Sequence, residues 1–193
     1  MQPIAPLMIE HRLIERMIHL IEMEKKEMEE HDKIDSGFID VTVDFIRTYA
    51  DRTHHGKEED ILFRDLENKN MSRGDRNLKN DLIEEHKYAR KLVGDLVEAK
   101  KRYVEGHKES LTRILEKLQA LVDFYPEHIR KEDRTFFRAA MEYLNKTEQD
   151  AMLQECWEFD RKMIHEKYRL MVEDLEKTGE GRKQTGKGEY RES

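Results

Sequence analysis

Two stretches of this chain read alike at a distance of 74 residues. His54-His55-Gly56-Lys57-Glu58-Glu59-Asp60-Ile61-Leu62-Phe63-Arg64 and His128-Ile129-Arg130-Lys131-Glu132-Asp133-Arg134-Thr135-Phe136-Phe137-Arg138 share the pattern His-x-x-x-Glu-acid-x-x-apolar-Phe-Arg. A second pair, Glu10-His11-Arg12 and Glu85-His86-Lys87, repeats at an offset of 75. Each half therefore carries one Glu-His-basic element and then, 43 or 42 residues later, one His-x-x-x-Glu element. A sequence built this way points to a duplicated hairpin with a pseudo-twofold axis. The spacing of four identifies the hairpin arms as helices, because residues four apart sit one above the other on a helix face.

The apolar pattern agrees. Leu7, His11, Ile14, Ile18 and Ile21 lie at spacings of three and four, which predicts a first helix from about Pro6 to Asp32. Pro6 is tolerated in a first turn, and Asp35-Ser36-Gly37 marks a break with capping residues. A second helix is expected from about Phe38 to Glu67, and Asn70–Asp75 is the next break. The third, about Arg76 to Val104, carries the stripe Leu78, Leu82, His86, Ala89, Val93 and Leu96, and Gly106 ends it. The fourth, about Lys108 to Leu144, reads Ile114, Leu118, Leu121, Tyr125, His128, Glu132, Thr135 and Ala139. Pro126 inside that pattern is expected to kink or split it. Thr147 is the expected cap of a fifth helix, about Glu148 to Lys177, with Trp157, Ile164, Tyr168, Met171 and Leu175 as its buried face. From Thr178 the chain is nearly devoid of apolar residues, and a disordered tail is expected.

Four long segments of roughly 27 to 37 residues, each about 40 to 55 Å as a helix, make an up-down-up-down four-helix bundle the simplest all-α arrangement. The domain is then residues 1–177, with a core over 5–145, an extra C-terminal helix over 148–177 and a tail over 178–193. Composition is consistent with this. Of 193 residues, 41% are charged and only 9 are Gly and 3 Pro, too few turn formers for an all-β fold. A net charge of -7 argues against a general nucleic-acid binder. Cys156 stands alone, so no intramolecular disulfide forms, and a cytoplasmic location is expected. No apolar run reaches the ~18 residues of a membrane span, and the first residues do not read as a signal peptide.

The bundle's own stripes turn polar at His11, His54, His86 and His128, with Glu58 and Glu132 one turn beyond two of them. Imidazole and carboxylate together, without thiolate, suit iron, manganese or zinc. Two facing His-x-x-x-Glu pairs can hold two metals bridged by the carboxylates. Four histidines and two bridging glutamates give each metal four ligands, which leaves an octahedral ion open to solvent or a small molecule. On helix two, His55 and Glu59 satisfy the same spacing; the internal repeat favours His54 and Glu58, with His55 as an added ligand. Tyr125, one turn before His128, is expected to pack in the core with a hydrogen-bonded hydroxyl, a redox role being the alternative. His19, His31 and His107 are expected at the surface.

Taken as a set, a His in helix one, His-x-x-x-Glu in helix two, a His in helix three and His-x-x-x-Glu in helix four resemble the hemerythrin-like (HHE cation-binding) domains, over about residues 5 to 145. The resemblance implies a non-haem di-iron protein with His11, His54, Glu58, His86, His128 and Glu132 as ligands. It implies two iron ions (Fe2+/Fe3+) with an oxo or hydroxo bridge, zinc or manganese being substitutes on purification. It implies O2 or a related small molecule as the partner and leaves room for a homodimer; no nucleic acid and no membrane are expected from the charge and the short apolar runs. Binding or sensing of O2, iron or redox state is the leading expectation. Turnover of peroxide, nitric oxide or ferrous iron is the enzymatic alternative, and a purely structural bundle is the third. One departure stands out. Respiratory hemerythrins carry a further His four residues after the helix-three His; here that position is Arg90, and His55 is the replacement the sequence offers.

Overall fold

The computed structural model describes residues 3–163 and 167. Among them are helices and no strands. Helix α1 is Ala5–His31, with Pro6 in its first turn and Asp32 in the left-handed region at its C-terminus (φ 49). Helix α2 covers 36–67. It starts where Asp35 accepts the backbone N–H of Phe38 at 2.9 Å, the N-cap that the break at 35–37 predicts. Helix α3 is Arg73–Val104, capped by Ser72 through the Asp75 N–H. Gly106 ends it at φ 105, a conformation open to glycine at little cost. Helix α4 covers 110–142 and runs unbroken through Pro126, so the expected split does not occur.

Helix α5 occupies 146–163. Its cap is Asn145 rather than Thr147. Asn145 Oδ1 accepts the Glu148 N–H at 3.0 Å and Glu148 Oε2 accepts the Asn145 N–H at 2.9 Å, a reciprocal capping box. Trp157 is exposed, contrary to expectation; Met152, Leu153 and Cys156 are the buried residues, because they share the face turned to the bundle. The expected contacts of Ile164, Tyr168, Met171 and Leu175, and the tail from Thr178, lie outside the described residues.

Neighbours in sequence are neighbours in space. α1 packs on α2 and α4, and α3 packs on α2 and α4, which closes the four helices into a ring. The core is in two parts. One apolar cluster gathers Ile14, Ile21, Ile39, Ile46, Leu96, Ile114, Leu118 and Leu121. The other gathers Leu7, Ile61, Leu62, Leu66, Leu82, Phe136, Phe137 and Cys156. On every one of the four helices the chain passes from one cluster to the other through polar residues: Glu10 and His11, His54 to Glu58, His86, then His128 and Glu132.

Two of the helices widen there. Ile46–His55 and Glu58–Phe63 in α2, and Glu132–Phe136 in α4, are π-helical. A π turn takes one more residue than an α turn, and the stripe shifts by one. The face that descends α4 through His128 and Glu132 continues to Phe136 and Ala140, whereas the expected Thr135 is exposed and Ala139 only half-buried. In α2 the same widening lets the consecutive residues His54 and His55 both face inward.

Candidate metal centre

All six residues singled out by the repeat meet in the bundle's interior, and His55 joins them. His11, His54, Glu58 and Glu132 bring ligand atoms within 4.8 Å of one another, and His55, His86 and His128 form a second group by the same measure. Every one is buried. His54 and Glu58 are thus the register that faces inward on α2, and Glu59 is not part of the cluster.

The two carboxylates span the groups. Glu58 places Oε1 3.7 Å from His54 Nε2 and Oε2 3.3 Å from His86 Nε2. Glu132 places Oε2 3.2 Å from His11 Nε2 and Oε1 3.3 Å from His128 Nε2. One oxygen of each glutamate faces each histidine group, the disposition of a carboxylate bridging two cations.

The imidazoles are held from behind. His11 Nδ1 donates to Asp133 (2.7 Å), His54 Nδ1 to Glu10 (3.0 Å), His86 Nδ1 to Glu59 (2.6 Å) and His128 Nδ1 to Glu85 (2.8 Å). A carboxylate can only accept here, so Nδ1 carries a proton and Nε2 is the ring atom turned inward, free to ligate once it has no proton of its own. Each of these carboxylates has a cation of its own: Arg12 on Asp133, Lys57 on Glu10, Arg90 on Glu59 and Lys131 on Glu85. The arrangement repeats across the pseudo-twofold axis. Glu10 and Glu85 reach the His of their own half, whereas Asp133 and Glu59 reach the His of the other half. Sequence reasoning saw these acids as parts of the repeat without giving them a task. The Glu-His-basic repeat itself was the signal.

His55 Nδ1 faces Asp51 Oδ1 at 3.4 Å, its ring stacks on His86 at 3.8 Å between centroids, and it is fully buried. Arg90, at the position where the resemblance would place a histidine, instead donates to Asp51 (2.7 Å) and to Glu59 (2.8 Å). It therefore steadies the acids behind His55 and His86.

Electrostatics follow from burial and these pairs. Burial disfavours the charged form of His11, yet Asp133 and Glu132 outweigh it and raise its pKa to about 10. For His86 burial is likewise outweighed, by Glu132, Glu58 and Glu59, to about 11. Burial and then its histidine neighbours hold His55 well below the usual range, neutral and ready to ligate. Burial raises Glu132, but His128 and His11 carry it well below the usual carboxylate range.

What the interior lacks among the described residues is a partner for the inward atoms. Both oxygens of Glu58 and of Glu132, and Nε2 of His55, His86 and His128, have no hydrogen bond. His11 Nε2 and His54 Nε2 lie 2.8 Å apart, with both Nδ1 atoms already committed. A natural interior does not leave so many acceptors unpaired without cause. Nitrogen and oxygen lone pairs converging on two points are the donor set of divalent cations. Aromatic rings seal the site: Phe137 stacks on His11, Phe63 on His86 and Phe124 on His128, with Phe136 edge-on to Phe63. Tyr125 is buried as expected, but its hydroxyl has no hydrogen-bond partner among the described residues. His19, His31 and His107 are at the surface.

A search of curated proteins finds no match to the chain. The family model described as the hemerythrin HHE cation binding domain matches residues 2–140, which span all four bundle helices but the last two residues of α4. With the ligand pattern in its interior, the chain belongs to the hemerythrin HHE cation-binding family.

Proposed function

We propose that this protein holds two iron ions between its helices and uses them to bind or sense O2, or to sense iron or redox state. The observation that carries the reading is the pair of glutamates, each with one oxygen toward either histidine group. Iron in a thiolate-free site of imidazole and carboxylate supplies redox chemistry toward O2 and related small molecules. The chain's own contribution is to orient the imidazoles through Nδ1, to keep water out with Phe63, Phe124, Phe136 and Phe137, and to present two carboxylates as bridges.

The donor count supports an open site. His11 and His54 with two glutamates offer four ligands to one ion. His55, His86 and His128 with the same glutamates offer five to the other. Six-fold coordination leaves the first ion the more open. That openness also favours a second reading, turnover of peroxide, nitric oxide or ferrous iron at the same place.

Metal analysis of protein purified without chelator, with optical spectra before and after admission of air, tests the reading. About two irons per chain are expected, with a near-ultraviolet band that appears with air and is lost in His54→Ala and Glu132→Ala. Reversal under vacuum favours binding; consumption of peroxide favours the enzyme. An intact fold without stoichiometric metal overturns both and leaves a structural bundle.

A further inference from the structure

The twofold network behind the histidines departs from symmetry where α5 meets it. Lys57 and Lys131 are repeat mates, each three residues after a ligand histidine and each paired with the glutamate that holds that histidine. Lys131 keeps 40% of its side chain exposed, so water solvates its remaining protons. Lys57 is 0% exposed. An ammonium buried that deeply needs partners on more than one side, and the second partner comes from α5: Lys57 Nζ donates to Asp160 Oδ1 at 2.5 Å.

A second observation comes from the sequence's departure from its own repeat. The residue before Lys131 is Arg130, exposed; the residue before Lys57 is Gly56. A Cβ on Gly56 would lie 2.9 Å from the Phe159 ring, so an ordinary side chain there would force that ring away. Phe159 and Asp160 thus sit against the turn that carries His54 and His55. Arg64 anchors the same helix through a two-pronged pair with Glu155 (2.7 and 2.8 Å), and Lys167 reaches Asp44 at 3.1 Å.

We propose that α5 is a working part of the metal centre, with Asp160 a positioning residue that fixes His54 through Lys57 and Glu10. The chain of contacts is Asp160 to Lys57, Lys57 to Glu10, and Glu10 to His54 Nδ1. The two metal positions then differ in support as well as in ligands. The one at His11 and His54 is tied to the C-terminal helix through Lys57 and Glu10, whereas the glutamate behind His128 is paired with the part-exposed Lys131. The inference rests on the metal-binding reading for its first test and is independent of it for the second.

The first test loads the protein with ferrous iron under anaerobic conditions and follows release to a chelator. Wild type should release in two phases. Asp160→Asn should speed one phase on the order of 10-fold, the scale seen when a partner behind a ligand is lost, and leave the other unchanged. Glu10→Gln should act on the same phase, and the double variant should be no faster than Glu10→Gln alone, since both act on one contact chain. Glu155→Gln, which loosens α5 at Arg64 without touching that chain, should not reproduce the effect. Equal acceleration of both phases, or additive effects, would overturn the proposal. The second test needs no metal. In the metal-free protein, the His54 Nδ1 proton should exchange with water faster in Asp160→Asn, and that of His128 should not. Unchanged exchange at His54 in a folded variant sinks the inference whatever the protein binds, whereas failure of wild type to take up iron counts against the proposed function alone.

Discussion

At the scale of single residues, the site is organised by what lies behind each ligand. A carboxylate on Nδ1 fixes the ring orientation and leaves Nε2 facing inward, so a cation has only to displace any proton held there. A cation on that carboxylate in turn keeps it ionised and still. Glu59 shows the effect: burial opposes its charge, but hydrogen bonds from His86 and Arg90 lower its pKa overall. Arg90 and His55 form a linked pair of departures. The arginine stands at the position on α3 where the resemblance would place a histidine, and it pairs with Asp51, which faces His55 on α2. On the proposed two-ion reading, His55→Ala should hold about one ion per chain in place of two, since the loss falls on the three-histidine group. Metal analysis after dialysis reads this directly; full retention of both ions would exclude His55 as a ligand.

At the scale of elements, the π turns matter most. Each begins or ends on a residue of the buried cluster: His54 and His55 close the first, Glu58 opens the second, and Glu132 opens the third. π geometry is rare because its hydrogen bonding and packing are poorer than those of an α-helix, and it gathers at functional sites. Here it presents consecutive residues to one interior, which regular α geometry would place about 100° apart. The helix ends follow ordinary local rules. Asp35 holds the start of α2, and Asp35→Ala should lower stability by about 1 kcal/mol without changing metal content. Chemical denaturation checks the first expectation and metal analysis the second.

At the scale of the whole molecule, the polar centre is a layer between two apolar clusters. The flanking clusters supply the burial that holds the bundle together, while the layer itself is poorly satisfied without a cation. Glu58 and Glu132 are fully buried and their oxygens unpaired. Metal ions that bind only the folded state should therefore stabilise it markedly. Free metal at 100 times its dissociation constant adds about 2.7 kcal/mol. Thermal unfolding with and without ferrous iron should show the midpoint rise, and Glu132→Ala should abolish the rise. An equal rise in that variant would mean that the metal acts elsewhere. No helix among the described residues is long and apolar enough to cross a membrane.

Much of this was determined by the sequence. Spacings of three and four, together with caps such as Asp35, are local properties, so the helices and most of their inward faces could be read directly. The duplication located His11, His54, Glu58, His86, His128 and Glu132, because symmetry repeats a residue type wherever it repeats an environment. Tertiary structure decided the rest. Thr135 and Ala139 gave way to Phe136 and Ala140 because a π turn leaves no simple periodic trace. Pro126 did not split α4, and Asn145 rather than Thr147 capped α5. Trp157 turned outward while Phe159 closed on Gly56, a contact between residues far apart in the chain. The carboxylates behind His11, His54, His86 and His128 come from other helices, up to 122 residues away. Charge pairing of that kind depends on which helix faces become neighbours, and only packing settles that.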